Sequence, residues 1–174
     1  STSNRSEVAV GYATMDGDTC GGLSPIAGID KVFILRWLKW IEVEGFLSIA
    51  PLEVLKLVTI QQPTAELRPV DCKQSDEQDL MPYPVLDAIE NMAILERKMP
   101  LQVWEGLQLQ FNDREQYTSA ELALFVDRFF KLWSRNQWKR ERYAPSFHLD
   151  DKNLDPKTWC RFPILSGGFT EELR

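Results

Sequence analysis

Residues 118–137 read TSAELALFVDRFFKLWSRNQ, and this stretch sets the fold class. Thr118 and Glu121 have the spacing of a capping box, in which hydroxyl and carboxylate satisfy the first free amides of a helix. Leu122, Phe125, Phe129 and Leu132 recur every three or four positions and so share one helical face. Upstream, Asp30 is placed to cap a helix running to about Glu44, with Gly45 to end it. Its apolar residues, from Val32 and Phe33 through Trp37, Trp40 and Ile41, cover most of the circumference, which predicts burial on more than one side. Ser48 and Pro51 open a second helix through Leu52, Leu55 and Val58. Pro84 opens another, with Val85, Ile89, Met92 and Leu95 or Glu96 at helical spacing and Pro100 to stop it. A short helix with Trp104 and Leu107 follows. Few segments alternate as exposed strands do. The expectation is a predominantly α-helical chain in which any sheet is small or contributed by other sequence.

Three stretches lack a period. Residues 1–30 hold five of the nine glycines, and only Glu7 to Ala13 could be regular there. Residues 61–82 carry Pro63, Pro69 and Pro82 among acids and read as a long loop. The tail from Ala144 is Pro-rich and irregular. Long loops are costly to order and often functional.

Composition limits the function classes. The chain has 174 residues, 44% of them hydrophobic and 26% charged, which suits one globular domain and excludes disorder. A net charge of −6 argues against a general nucleic-acid binder. The apolar runs are too short to cross a membrane. Cys20, Cys72 and Cys160 are odd in number and widely spaced, so neither a full disulfide framework nor a Cys-x-x-Cys metal clip is expected, and a reduced cytoplasmic location is the default. His148, the single histidine, would have to carry any triad alone.

The opening loop carries the densest candidate chemistry. Asn4-Arg5-Ser6-Glu7 precedes Gly11-Tyr12-Ala13-Thr14 and Asp16-Gly17-Asp18. Carboxylates spaced by glycine beside hydroxyls suit a hard cation such as Mg2+ and the phosphates it carries. The same residues also read as a polar turn with Asx caps.

These residues resemble a known family. STSNRSE followed by VGYATMDGD, then GGLSPIAGIDK, is similar to the ATP-dependent NAD synthetases. QPTAELRP, QSDEQDLMPYPVLDAIE, WKRERYAP and WCRFPI resemble the version fused to a glutamine amidotransferase. The matching blocks run from Ser1 to about Ile164. The resemblance implies an α/β parent fold, Rossmann-like and of the adenine nucleotide alpha hydrolase type. Residues 1–174 would be the C-terminal portion of its synthetase domain, mainly helices and substrate loops. It implies that ATP adenylates the nicotinate carboxylate of deamido-NAD and that ammonia, free or from glutamine, displaces AMP to give NAD.

By the same resemblance Glu7 would bind Mg2+. Thr14 and Asp18 would contact deamido-NAD, with Tyr12 near the nicotinate ring. Lys31 and Thr64 would contact ATP phosphates. Lys139 and Arg140 would lie at the phosphate or dinucleotide end. The family's pyrophosphate loop, Ser-Gly-Gly-x-Asp-Ser, and the amidotransferase domain are expected upstream of Ser1, and a homo-oligomer is expected.

Other features weigh on this reading. Arg135, Lys139, Arg140 and Arg142 against Glu141 make a basic patch that could hold phosphates or merely complement a helix dipole. The 61–82 loop, with Thr64, Glu66, Arg68 and the acids from Asp76 to Asp79, would be a lid over substrate or an ordinary surface loop. Ser166-Gly167-Gly168 imitates the pyrophosphate loop, but Thr170 and Glu171 stand where Asp and Ser belong, and too little chain follows for a helix. The competing expectations are a non-catalytic helical assembly module and another adenylating amide ligase.

Overall fold

The computed structural model describes residues 1–64, 75–111 and 116–174. The described residues are largely helical and contain no strand, only isolated bridges pairing Ser24 with Ser146 and Phe46 with Ile49.

The first helix, α1 (Arg5–Val10), overlaps the short piece, Glu7 to Ala13, that could be regular in the opening loop, and starts two residues before it. Asn4 caps it through the Glu7 amide, and the Glu7 carboxylate accepts from the Asn4 amide in return. An Asn-x-x-Glu box thus nucleates a short helix without a hydrophobic period to announce it. Gly11 ends it at φ +67°. A Cβ there would sit 2.4 Å from the Asn136 Cβ, so both backbone and space require glycine.

α2 (Lys31–Glu44) starts and stops where expected. Asp30 occupies the cap position, yet its carboxylate makes no cap bond and is held by Arg5 and Lys152. The burial expected on several sides is not found. Phe33, Trp37, Trp40 and Val43 are all exposed among the described residues. The helix expected after Pro51 is reduced to a tight turn, Glu53–Leu55, and α3 (Lys56–Thr59).

α4 (Asp76–Asp79) is a single turn capped by Ser75. α5 (Tyr83–Glu90) continues into a wide turn, Asn91–Leu95. It ends well before Pro100, with Arg97 at φ +58°. Pro100 does not stop that helix; it opens α6 (Pro100–Phe111), where a missing amide hydrogen costs nothing. α7 (Ser119–Arg135) has the predicted capping box in full. Its buried face runs through Leu122, Val126, Phe129, Phe130 and Trp133, with Phe125 and Leu132 only partly covered. α8 (Gln137–Arg140) follows at once.

α5 lies at the centre. Val85, Leu86 and Ile89 are fully buried where it meets α1, α6 and α7. Each such aliphatic side chain contributes about 2 kcal/mol on removal from water. The irregular tail packs Phe162 and Phe169 against Trp133 and Phe130. This core fixes the C-terminal end of α1 against α7 and α8, which shapes the site.

Candidate functional site

Four segments distant in sequence surround an open cavity of about 690 Å³. The loop after α1 brings Tyr12, Thr14 and Asp18; α1 itself brings Glu7. The start of α2 brings Lys31, the end of the 61–64 stretch brings Thr64, and α8 brings Lys139. Seven of the eight residues singled out in the sequence therefore share one wall.

Glu7 does several things at once. One carboxylate oxygen closes the capping box on the Asn4 amide at 3.1 Å, and the other accepts from Lys31 Nζ at 3.2 Å. Both side chains remain partly open to solvent, so the pair can separate around a ligand. Asp18 accepts from the Thr14 amide at 2.7 Å, which folds the glycine loop back on itself. The Tyr12 hydroxyl donates to Asp79 at 2.9 Å and ties this loop to α4.

Lys139 reaches the cavity from behind. Its ammonium donates to the carbonyl oxygens of Gly11 and Ala13 at 2.8 and 2.9 Å. Burial lowers its proton affinity, and the Asp18 carboxylate raises it in partial compensation.

Arg140 departs from expectation. It does not line this cavity, and its guanidinium is buried. It donates to Ala9 O at 2.6 Å, to Trp133 O, and to Gln137 Oε1 at 3.0 Å, while stacking over the Trp133 ring. Burial pulls its proton affinity down to about 10, so it stays charged at neutral pH. These bonds tie the end of α1 to α7 and α8, and the buried guanidinium is turned away from the cavity. The expected basic patch is dispersed in the same way. Arg135 is exposed, and Arg142 pairs with Asp16 at 3.3 Å.

Sequence reasoning missed Thr2, Pro63 and Asp76 in the cavity wall. Asp76 was legible only as one acid in a loop. Its place is set by its amide, which donates to Pro63 O at 3.1 Å. Glu66, Arg68 and Cys72 lie outside the described residues.

A second charged cluster is structural. Asp30, Asp87 and Glu90 bring carboxylate oxygens within 4.8 Å of one another, spacing that a metal could use. Lys152 fills that role instead, with its ammonium 2.9 Å from Asp30 and 3.5 Å from Asp87. Arg5 forks onto Asp30 and Asp150 beside it. Burial, with Asp30 and Asp87 nearby, pushes the Glu90 carboxyl well above the usual range despite Lys152.

A family model described as NAD synthase matches residues 1–142. The chain belongs to the NAD synthase family. It is 49% identical to a crystal structure of a glutamine-dependent NAD(+) synthetase from Cytophaga hutchinsonii, with a TM-score of 0.75 over 98% of this chain and 25% of that one. It is 37% identical over 169 residues to the glutamine-dependent NAD(+) synthetase of Thermotoga maritima, covering 95% of this chain and 25% of the relative. The corresponding enzyme of Xanthomonas campestris is 30% identical over 171 residues, 95% of this chain and 26% of its own length. The chain thus spans about a quarter of the length of these NAD synthetases. The structural likeness extends over nearly the whole of this chain.

Proposed function

We propose that the complete protein makes NAD by ATP-dependent amidation of deamido-NAD, through an NAD-adenylate, using free ammonia or ammonia from glutamine. Residues 1–174 form the C-terminal portion of its synthetase domain. The α/β parent sheet, the pyrophosphate loop and a glutamine amidotransferase domain belong to the rest of the protein. The observation that carries this reading is the convergence of Glu7, Thr14, Asp18, Lys31, Thr64 and Lys139 on one cavity in a chain of this family.

The chemistry asks for what this wall offers. A carboxylate is a poor electrophile because its oxygen is a poor leaving group. Its attack on the α-phosphorus of ATP forms a C–O–P link and expels pyrophosphate. Ammonia then forms the C–N bond, and AMP departs with the C–O electron pair. Lys31 and Thr64 hold phosphates; Tyr12, Thr14, Asp18 and Lys139 hold and orient deamido-NAD. Glu7, released from Lys31, would hold Mg2+. Among the described lining residues the carboxylates of Glu7, Asp18 and Asp76 face the ammonium groups of Lys31 and Lys139. These hard oxygen donors fit Mg2+, and a triphosphate needs positive charge beyond what two lysines give. When bound, the ion neutralises phosphate charge.

The exposed rings of Phe33, Trp37 and Trp40 on α2 support a homo-oligomer, since soluble proteins rarely leave such a face bare. Among the described residues no helix is long and apolar enough to cross a membrane.

The test uses the full-length polypeptide with Mg-ATP, deamido-NAD and ammonium chloride. NAD and pyrophosphate should form in equal amounts. Pyrophosphate release that ignores deamido-NAD would point to another acid substrate, and no nucleotide turnover would point to an assembly module.

A further inference from the structure

We infer that Lys152 is a positioning residue for Mg-ATP: from the tail it anchors Asp30, and through Asp30 and Arg5 it fixes the spacing of Lys31 and Glu7 in the cavity wall. This deepens the reading proposed above and rests on the roles given there to Lys31 and Glu7.

The starts of α1 and α2 are joined residue by residue. The Arg5 amide donates to Ile29 O at 2.9 Å, and the Lys31 amide donates to the Ser6 hydroxyl at 3.2 Å. The Glu7–Lys31 ion pair, also at 3.2 Å, comes next. This junction has two faces. Glu7 and Lys31 stand on the cavity side and are partly open to solvent. The side chains of Arg5, Asp30 and Lys152 stand on the other side and are largely buried.

Asp30 shows which face sets the geometry. It occupies the cap position of α2, where an Asp usually serves the free amides, yet its carboxylate makes no cap bond. Both of its oxygens go to cations instead. Arg5 forks onto them at 2.7 and 3.1 Å, and Lys152 Nζ lies 2.9 Å from Oδ2. A forked guanidinium–carboxylate pair fixes direction as well as distance. The orientation of Asp30 therefore passes along the backbone to Lys31, and through Arg5 to α1, where Glu7 is two residues on.

Nothing else in the junction can replace Lys152. The five N–H groups of Arg5 are all taken, two by Asp30, two by Asp150 and one by Lys152 O. Lys152 Nζ also donates to Asn91 Oδ1 at 2.7 Å and lies 3.5 Å from Asp87, so it references Asp30 to α5 at the centre of the core. Without this ammonium, Asp30 and Asp87 repel across a buried gap, and Asp30 turns away with Lys31 attached. A buried ion cluster is a poor source of stability beside apolar packing. What this one supplies is a fixed direction for the two side chains on the cavity face.

The test uses the full-length protein and measures Mg-ATP binding by calorimetry alongside steady-state kinetics. Lys152→Met keeps the buried stem and removes the ammonium. The Kd and the KM for Mg-ATP should rise by about 10-fold, the usual loss when a group that orients a ligand-binding side chain is removed. The Mg2+ titration should shift to higher concentration with them, and the KM for deamido-NAD should stay unchanged. A lysine that only supports the fold would lower the melting temperature and leave the Mg-ATP constants as they are; that result overturns the inference, as does an equal rise in both KM values. Lys152→Met combined with Asp87→Asn removes one charge of each sign and serves should the single variant fail to fold. Its melting temperature should recover towards that of the unaltered protein while its Mg-ATP affinity stays low. Recovery of both together shows that Lys152 merely balances charge and overturns the inference. If the unaltered protein binds Mg-ATP but forms no NAD from deamido-NAD, the proposed function fails, and the binding comparison still decides the role of Lys152. If it binds no Mg-ATP, both fail.

Discussion

The ammonium of Lys139 lies 2.8 Å from the carbonyl oxygen of Gly11, across 128 residues of sequence. It also holds Ala13 O, while Asn136 and Arg140 hold Val10 O and Ala9 O at 2.7 and 2.6 Å. The carbonyls that end α1 are thus satisfied from α7 and α8 instead of by water. The glycine loop that carries Tyr12, Thr14 and Asp18 hangs from this junction.

Lys139→Met keeps the aliphatic stem and removes the donors. Stability should fall by only ~1 kcal/mol, because the ammonium is partly exposed and water can replace it. The KM for deamido-NAD should rise by about 10-fold, the effect of removing one charge-assisted hydrogen bond along with the order it gives the loop. Thermal unfolding and steady-state kinetics of the full-length protein check the two parts.

Arg140→Met should behave in the opposite way. It strands buried carbonyls of Ala9 and Trp133 and should cost about 3 kcal/mol of stability. Any protein that still folds should keep its KM for both nucleotides. Arg140→Lys should not rescue stability, since an ammonium cannot span the same acceptors. A raised KM with unchanged melting would restore Arg140 as a phosphate ligand.

Glu7→Gln retains an oxygen for the Asn4 amide and loses the charge. The melting temperature should change little, because the cap persists. NAD formation should require a higher Mg2+ concentration and stay slower at saturation. An unchanged Mg2+ titration removes the metal assignment.

Glu90→Gln should stabilise the protein at neutral pH. Burial raises the Glu90 carboxyl above its unfolded value, so the folded state binds the extra proton. That contribution is intact below the unfolded value and is lost as pH rises through the folded one. The amide carries no charge to bury, so the variant's advantage should grow with pH across this window and vanish in acid. Chemical denaturation at a series of pH values measures it; a pH-independent difference contradicts the assignment.

The sequence spoke most clearly where local rules sufficed. The Thr118 and Glu121 box gave α7 its start and Gly45 gave α2 its end, because caps and periods act over neighbouring residues; Asp30 marks the start of α2 without capping it. It misjudged Pro100, which a helix uses equally well as a barrier or as a first residue. It also misjudged α2, whose apolar circumference says that a face must be covered without saying by which element.

The candidate site divides along the same line. Residue types and a family-like order in the sequence named Glu7, Tyr12, Thr14, Asp18, Lys31, Thr64 and Lys139. Their convergence could not be read there, because it depends on α5 packing under α1 and on α8 reaching back to Gly11. That Arg140 stands apart from the cavity was illegible for a related reason. A cation beside another cation looks the same in sequence whether it faces solvent or a row of carbonyls. One helical step, about 100° of rotation, sends Lys139 to the cavity and Arg140 into the core. Types of group and short-range structure are written in the chain. Which charges are free to act is decided by what the packed backbone has already taken as partners.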